Sequence, residues 1–151
     1  MDRYLDQARS GPTFLRKPEI AECVIHSMWR GEELRHYELG AFCVMPNHVH
    51  VLVLPIVQAS ELIKGIKGAT ARDANLLLDR TGEPFWQRES YDHWVRGAEE
   101  WARIRSYIEN NPVKAGLVAT AEEFLWSSAH SRWRGRIEER PGSGTSAAAA
   151  R

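Results

Sequence analysis

The stretch MPNHVHVLVLP, Met45 to Pro55, sets two histidines one residue apart at the start of a strongly apolar run. Alternate side chains of a strand leave the same face, so His48 and His50 can share one metal ion. The spacing alone equally fits a plainer pair of imidazoles, hydrogen-bonded or solvated at a strand end. A second group lies in SYIENNP, Ser106 to Pro112. Tyr107 and Asn111 are four apart, hence on one face of a helix. That face borders the apolar stripe of the helix without coinciding with it. If the helix lies over the histidines, Asn111 offers an oxygen as a third ligand and leaves coordination positions open. Two imidazoles and one oxygen suit a divalent Lewis acid. The plainer alternative is a half-buried tyrosine and an asparagine near a helix end.

These residues need elements to bring them together. RKPEIAECVIHSM predicts a helix, with Pro18 and Glu19 in its first turn and Ala21, Val24, Ile25 and Met28 on its buried face. WRGEE is expected to break it. RHYELGAFCVM and HVHVLVLP predict two strands joined by a turn at Pro46-Asn47. On the second strand Val49, Val51 and Val53 face one way, and His48, His50, Leu52 and Leu54 the other. Ser60 is the expected cap of a helix over 60–79. A strand is expected over 88–96, and a helix from Gly97 that Pro112 stops, with Trp101, Ile104 and Ile108 as its core stripe. TAEE at 120–123 matches a capping box and predicts a short last helix through Phe124, Leu125 and Trp126. The order α-β-β-α-β-α is that of a ferredoxin-like split βαβ fold, α+β with an antiparallel sheet, lacking its usual first strand. Residues 1–135 are expected to form one domain, and 136–151 a disordered low-complexity tail.

The 151 residues suffice for one domain with a core, and 43% are hydrophobic. Lys+Arg and Asp+Glu number 20 each, so no global positive field draws nucleic acid. Cys23 and Cys43 are expected to be reduced and buried, as in a cytosolic protein. No apolar run approaches the ~20 residues that span a bilayer, and the N-terminus lacks the apolar core of a signal peptide. The six tryptophans can fill a core or stack on bases.

Five blocks in order, VMPNHVHVLV, GIKGATAR, FWQRESYDHWVR, YIENNPVKAGLV and FLWSSA, resemble the REP-associated tyrosine transposases. These are relatives of the single-tyrosine insertion-sequence transposases of the HUH nuclease superfamily. The resemblance covers residues 10–130. It implies that His48 and His50 are metal ligands and that Tyr107 is the nucleophile. Asn111 falls where insertion-sequence relatives carry a glutamine that completes the metal site. Tyr91 ranks second as nucleophile, since it lies on the expected strand without an amide one helical turn on. The implied ion is Mg²⁺ or Mn²⁺, and the implied partner is single-stranded, hairpin-forming DNA, bound by a cytoplasmic, nucleoid-associated homodimer with no membrane contact. The expected chemistry is attack of the tyrosine on a phosphate, giving a 5′-phosphotyrosine and a free 3′-OH. A phenol ordinarily ionises near pH ~10 and is a competent leaving group, so the strand can be rejoined without ATP. Lys64, Lys67, Arg72, Trp86, Arg88, Arg96 and Lys114 are candidates for DNA contact. For the basic residues the alternative is a solvated face, and for Trp86 core packing.

Family members usually begin with a strand ahead of the segment matching Gly11-Pro12-Thr13-Phe14-Leu15. Without it the hairpin and the 88–96 strand lack their common neighbour, and edges are left open. Besides a strand-transferring enzyme, two functions therefore compete: an N-terminally truncated DNA-binding relative without chemistry, and an unrelated metal hydrolase that activates water.

Overall fold

A computed structural model describes residues 13–86, 92–93, 95–138 and 149–150. A short 3-10 turn, Phe14–Arg16, leads into helix α1, Pro18–Glu33. Pro18 occupies the first turn, where its missing N–H breaks no helical bond. Ile20, Ala21, Val24, Ile25, Met28 and Trp29 are buried along one side. The helix does not break at Trp29–Glu33 as its sequence predicts. Gly31 is there for clearance: a Cβ at this position would run into the Tyr37 ring, whose hydroxyl donates to the Met28 carbonyl at 2.6 Å.

Strands β1, Tyr37–Val44, and β2, Val49–Pro55, form the expected antiparallel hairpin. Its turn spans Pro46-Asn47 and is closed by the Met45 N–H donating to the His48 carbonyl at 2.9 Å. The register slips between Leu39 and Ala41, at Gly40. An unbroken alternation would send Leu39 and Ala41 to the same side. After the slip, Tyr37, Leu39, Phe42 and Val44 pack with Val51 and Val53 in one core, and Ala41 and Cys43 pack with Leu52 in another. The hairpin is thus covered on both faces, as the apolar character of both sides of β2 demands.

The first core is completed by α1, by Leu62 and Ala74 of helix α2, Ala59–Leu77, and by Trp133 and Ile137 of helix α4, Ser131–Glu138. Ser60 lies inside the first turn of α2, and the preceding Gln58 flanks the helix without a side-chain cap. The second core is completed by Ile104 and Ile108 of helix α3, Gly97–Lys114. Pro112 does not stop α3. It is buried within the last turn, where the carbonyls of Asn111, Pro112 and Val113 accept from the N–H groups of Ala115, Leu117 and Gly116. A proline this close to a helix end removes one bond without breaking the ladder behind it.

The free edge of β1 is not left open. Val44 N–H donates to Trp126 C=O at 2.8 Å, and Ser128 N–H to Phe42 C=O at 3.0 Å. This pairing corrects the helix expected through Phe124, Leu125 and Trp126. The capping-box Glu123 does accept from the Ala119 and Thr120 N–H groups, at 3.1 and 3.2 Å. The turn it caps is only Ala121–Glu123; Phe124 is then extended, Leu125–Trp126 form a turn, and Ser127 bridges to Cys43 at the strand edge. The strand expected over 88–96 is described as β3, Asp92–His93, paired antiparallel with β4, Ala149–Ala150. β4 also runs alongside β2. The tail expected to lack structure from 136 therefore contains the end of α4 and β4; residues 139–148 lie outside the described residues.

The fold is α+β with antiparallel pairing, in the expected order helix, hairpin, helix, strand, helix, followed by α4. Among the described residues no helix is long and apolar enough to cross a membrane. Both cysteines are free; Cys43 is buried, but Cys23 is only half-buried.

Gly40 carries a specific requirement. A Cβ there would collide with the indole of Trp101 on α3. Gly40→Ala should cost ~1–3 kcal/mol through overpacking, read as a lower midpoint of urea unfolding with an unchanged slope.

Candidate active site

β2 begins at Val49, and its first inward residue toward α3 is His50, cross-strand from Cys43. His50 is buried, with 1% exposure, and His48 just before the strand is half-buried. The two Nε2 atoms face each other at 3.0 Å, with the rings nearly perpendicular at 88°. His48 Nδ1 meets Asn47 Oδ1 at 2.8 Å. Burial pushes the His48 imidazolium down to about 4, so this ring is neutral at pH 7.

α3 reaches the same point because Ile104 and Ile108 pack on Ala41, Cys43 and Leu52. With those residues turned down onto the sheet, the neighbouring side of the helix, carrying Tyr107 and Asn111, turns toward His50. The Tyr107 ring lies edge-on to His50, 6.0 Å between centroids at 76°. Asn111 is 2% exposed, and its Nδ2 stands 3.4 Å from His50 Nε2. Its Oδ1 is buried without a hydrogen-bond partner among the described residues. An amide offers either end by a half-turn about χ2, so this oxygen can be aimed at the imidazoles.

A shared divalent ion fits these residues. Adjacent ligand atoms each ~2.1 Å from one ion are ~3 Å apart, and the two Nε2 atoms are 3.0 Å apart. The orphaned Asn111 oxygen supplies a hard donor beside them. Burial, then the nearby Glu109 charge, pushes the Cys43 thiol up, and the side chain packs in the second core.

The structure thus brings His48, His50, Tyr107 and Asn111 together. The candidate DNA-contact residues that the structure describes lie on α2, just after it, and at the two ends of α3. Lys64 and Arg72 are exposed on α2, with Arg72 3.5 Å from Asp73. Lys67 is half-buried on the same helix. Trp86 donates its indole N–H to Lys67 C=O at 3.0 Å and Thr70 Oγ1 at 2.9 Å, and its ring packs against Phe85. The ring is half-buried and packs against the first core. Arg96 and Lys114 are exposed at opposite ends of α3, with Lys114 at the end near Asn111. Arg88 and the alternative nucleophile Tyr91 lie outside the described residues.

One cluster escaped the sequence reading. Glu109, 8% exposed on α3, accepts from Ser128 Oγ at 2.8 Å and from Arg105 Nε at 3.4 Å. Ser128 Oγ in turn accepts from the Phe42 N–H at 3.0 Å. This bond chain ties the tyrosine-bearing helix to the edge of β1. Nothing in the local pattern of ENNP or WSSA announces a pairing nineteen residues apart.

Among solved structures, the fold matches a REP-associated tyrosine transposase bound to a REP hairpin, with a TM-score of 0.66 at 21% identity, over 90% of this chain and 81% of that one. That likeness defines the fold. The family described as IS200-like transposase matches residues 14–111, and the chain belongs to it. A Haemophilus influenzae protein provisionally assigned as a REP-associated tyrosine transposase is 30% identical over 105 residues, 62% of this chain. The REP-associated tyrosine transposase of Escherichia coli is 24% identical over 110 residues, 70% of this chain. The matched regions span 60% and 62% of those two relatives' own length.

Two outcomes follow. Ser128→Ala strands the Phe42 N–H in the interior and leaves the Glu109 carboxylate with Arg105 alone of its two partners, and should cost ~1–3 kcal/mol in chemical denaturation; Asn110→Ala, on the exposed side of the same helix, should cost far less. The second concerns acid. Below pH 6.5 the unfolded chain protonates His48 while the folded chain holds it neutral down to about 4. Stability of the metal-free protein should therefore fall as pH drops through that window. His48→Gln should flatten that part of the slope.

Proposed function

We propose that the protein is a metal-dependent strand transferase that cleaves and rejoins single-stranded, hairpin-forming repeat DNA through a 5′-phosphotyrosine. The observation that carries this reading is the meeting of Tyr107 and Asn111, from α3, with His50 at the mouth of β2. Family membership supports strand transfer as the reaction class. The solved neighbour is bound to a REP hairpin, which supports hairpin-forming repeat DNA as the substrate.

In this mechanism His48, His50 and Asn111 hold Mg²⁺ or Mn²⁺, which when bound withdraws electron density from a phosphate oxygen and favours loss of the phenolic proton. Tyr107 Oη attacks the phosphorus. The P–O3′ bond breaks, the 3′ oxygen takes up a proton, and the phenol proton leaves to solvent or a neighbouring base. The ester formed is a phosphodiester, so its energy is close to that of the bond broken. Attack by a 3′-OH reverses the step and returns the phenol. The edge-on contact with His50 limits the freedom of the Tyr107 ring, which favours attack along one direction. Lys64, Lys67, Arg72, Arg88, Arg96 and Lys114 are assigned to the DNA backbone, with Lys114 nearest the reacting end of α3. A homodimer is the proposed assembly.

The test is covalent capture of hairpin DNA on denaturing gels with Mn²⁺ present. Wild type should give an adduct that chelation abolishes. Tyr107→Phe should reduce it by ~10³-fold or more while binding of the hairpin persists, and Tyr91→Phe should leave it. An adduct that survives Tyr107→Phe and disappears in Tyr91→Phe would reassign the nucleophile. Hairpin binding with no adduct in any variant would leave a DNA-binding module, and multiple turnover in Tyr107→Phe would point to water as the nucleophile.

A further inference from the structure

Asn47 sits in the hairpin turn, a place where asparagine usually serves local backbone geometry. That ordinary reason is weak here. Among the described non-glycine residues, positive φ belongs to Arg35 and Asp79, so Asn47 is not retained for a left-handed conformation. Its side-chain oxygen is instead placed 2.8 Å from His48 Nδ1.

The consequence is set by the chemistry of imidazole. A neutral ring carries one N–H and one lone pair, and a partner at one nitrogen decides which is which. An oxygen is an acceptor only, so Asn47 Oδ1 requires the proton on His48 Nδ1. The Nε2 lone pair is then turned toward His50 Nε2 at 3.0 Å, the same point faced by Asn111. If the Asn47 amide were reversed, its NH₂ would donate to Nδ1 and force the proton onto Nε2. That would close the lone pair that a cation needs.

We infer that Asn47 is a positioning residue: its side-chain oxygen holds the Nδ1–H tautomer of His48, keeping the Nε2 lone pair available to a divalent cation shared with His50. This rests on the metal reading above for its use, but not for its geometry. The residue has no contact with substrate in this role and acts through His48.

Two measurements on the full-length protein test it. Long-range ¹H–¹⁵N correlation spectra of the metal-free protein report which nitrogen of His48 carries the proton. Wild type should show Nδ1–H, Asn47→Asp should retain it because a carboxylate is also an acceptor, and Asn47→Ala should shift the ring toward Nε2–H. Titration with Mn²⁺ alone should then show a Kd raised ~10–100-fold in Asn47→Ala and near wild type in Asn47→Asp. Nε2–H in the wild type, or an unchanged tautomer in Asn47→Ala with a dispersed, folded spectrum, overturns the assignment. Because the tautomer is read without metal, the two proposals separate. Wild type that binds no Mn²⁺ but shows the Asn47-dependent tautomer retires the metal reading and supports the role of Asn47.

Discussion

The seating of α3 on the outer face of the hairpin is the constraint on which the site depends. Ile104 and Ile108 fill the space above Ala41, Cys43 and Leu52. Apolar burial of this kind has no direction of its own, but on a helix it fixes rotation. Once two isoleucines face down, Tyr107 and Asn111 must look toward the end of β2, where His50 waits. Gly40 lets Trp101 come close to β1, and the slip at Gly40 sends Ala41 and Cys43, rather than larger neighbours, to meet the helix. The Glu109–Ser128–Phe42 bonds then resist sliding of the helix along the strand edge.

This arrangement mixes apolar fixation with buried polar groups that have specific duties. His50 and Asn111 are each almost fully buried. Buried polar groups cost stability unless they are hydrogen-bonded, and the Asn111 oxygen has no such partner among the described residues. A packing-driven sequence would have put leucine there. In the proposed mechanism that amide is a metal ligand, beside a His48 imidazole that burial keeps neutral.

Much of this was legible in the residues. Alternation along β2 placed His48, His50 and Leu52 on one face, and the four-residue spacing placed Tyr107 and Asn111 together. Both follow from fixed periods of strand and helix. What failed were readings of single residues as punctuation. WRGEE, which holds Gly31, was expected to break α1 and Pro112 to end α3. Gly31 answers to the Tyr37 ring and Pro112 to burial near a helix end, and neither contact is visible locally. The turn at Leu125–Trp126 and the bridge at Ser127 likewise depend on the open edge of β1, a partner distant in sequence. The tautomer-setting contact of Asn47 was hidden because Pro46-Asn47 is sufficient to explain a turn. The strand ahead of α1 is a different case, since the segment that would hold it lies outside the described residues.

The central claim is spatial: the Tyr107 ring rests against His50 because α3 is seated by Ile104 and Ile108. Proton–proton NOE spectroscopy on the metal-free protein tests this most directly. Cross-peaks between the ring protons of Tyr107 and those of His50 are predicted, together with contacts from the Ile108 methyls to Leu52. Contacts of Ile108 with Leu52 that persist while Tyr107 shows none to His50 would contradict it, since the helix would then be seated with its tyrosine turned elsewhere.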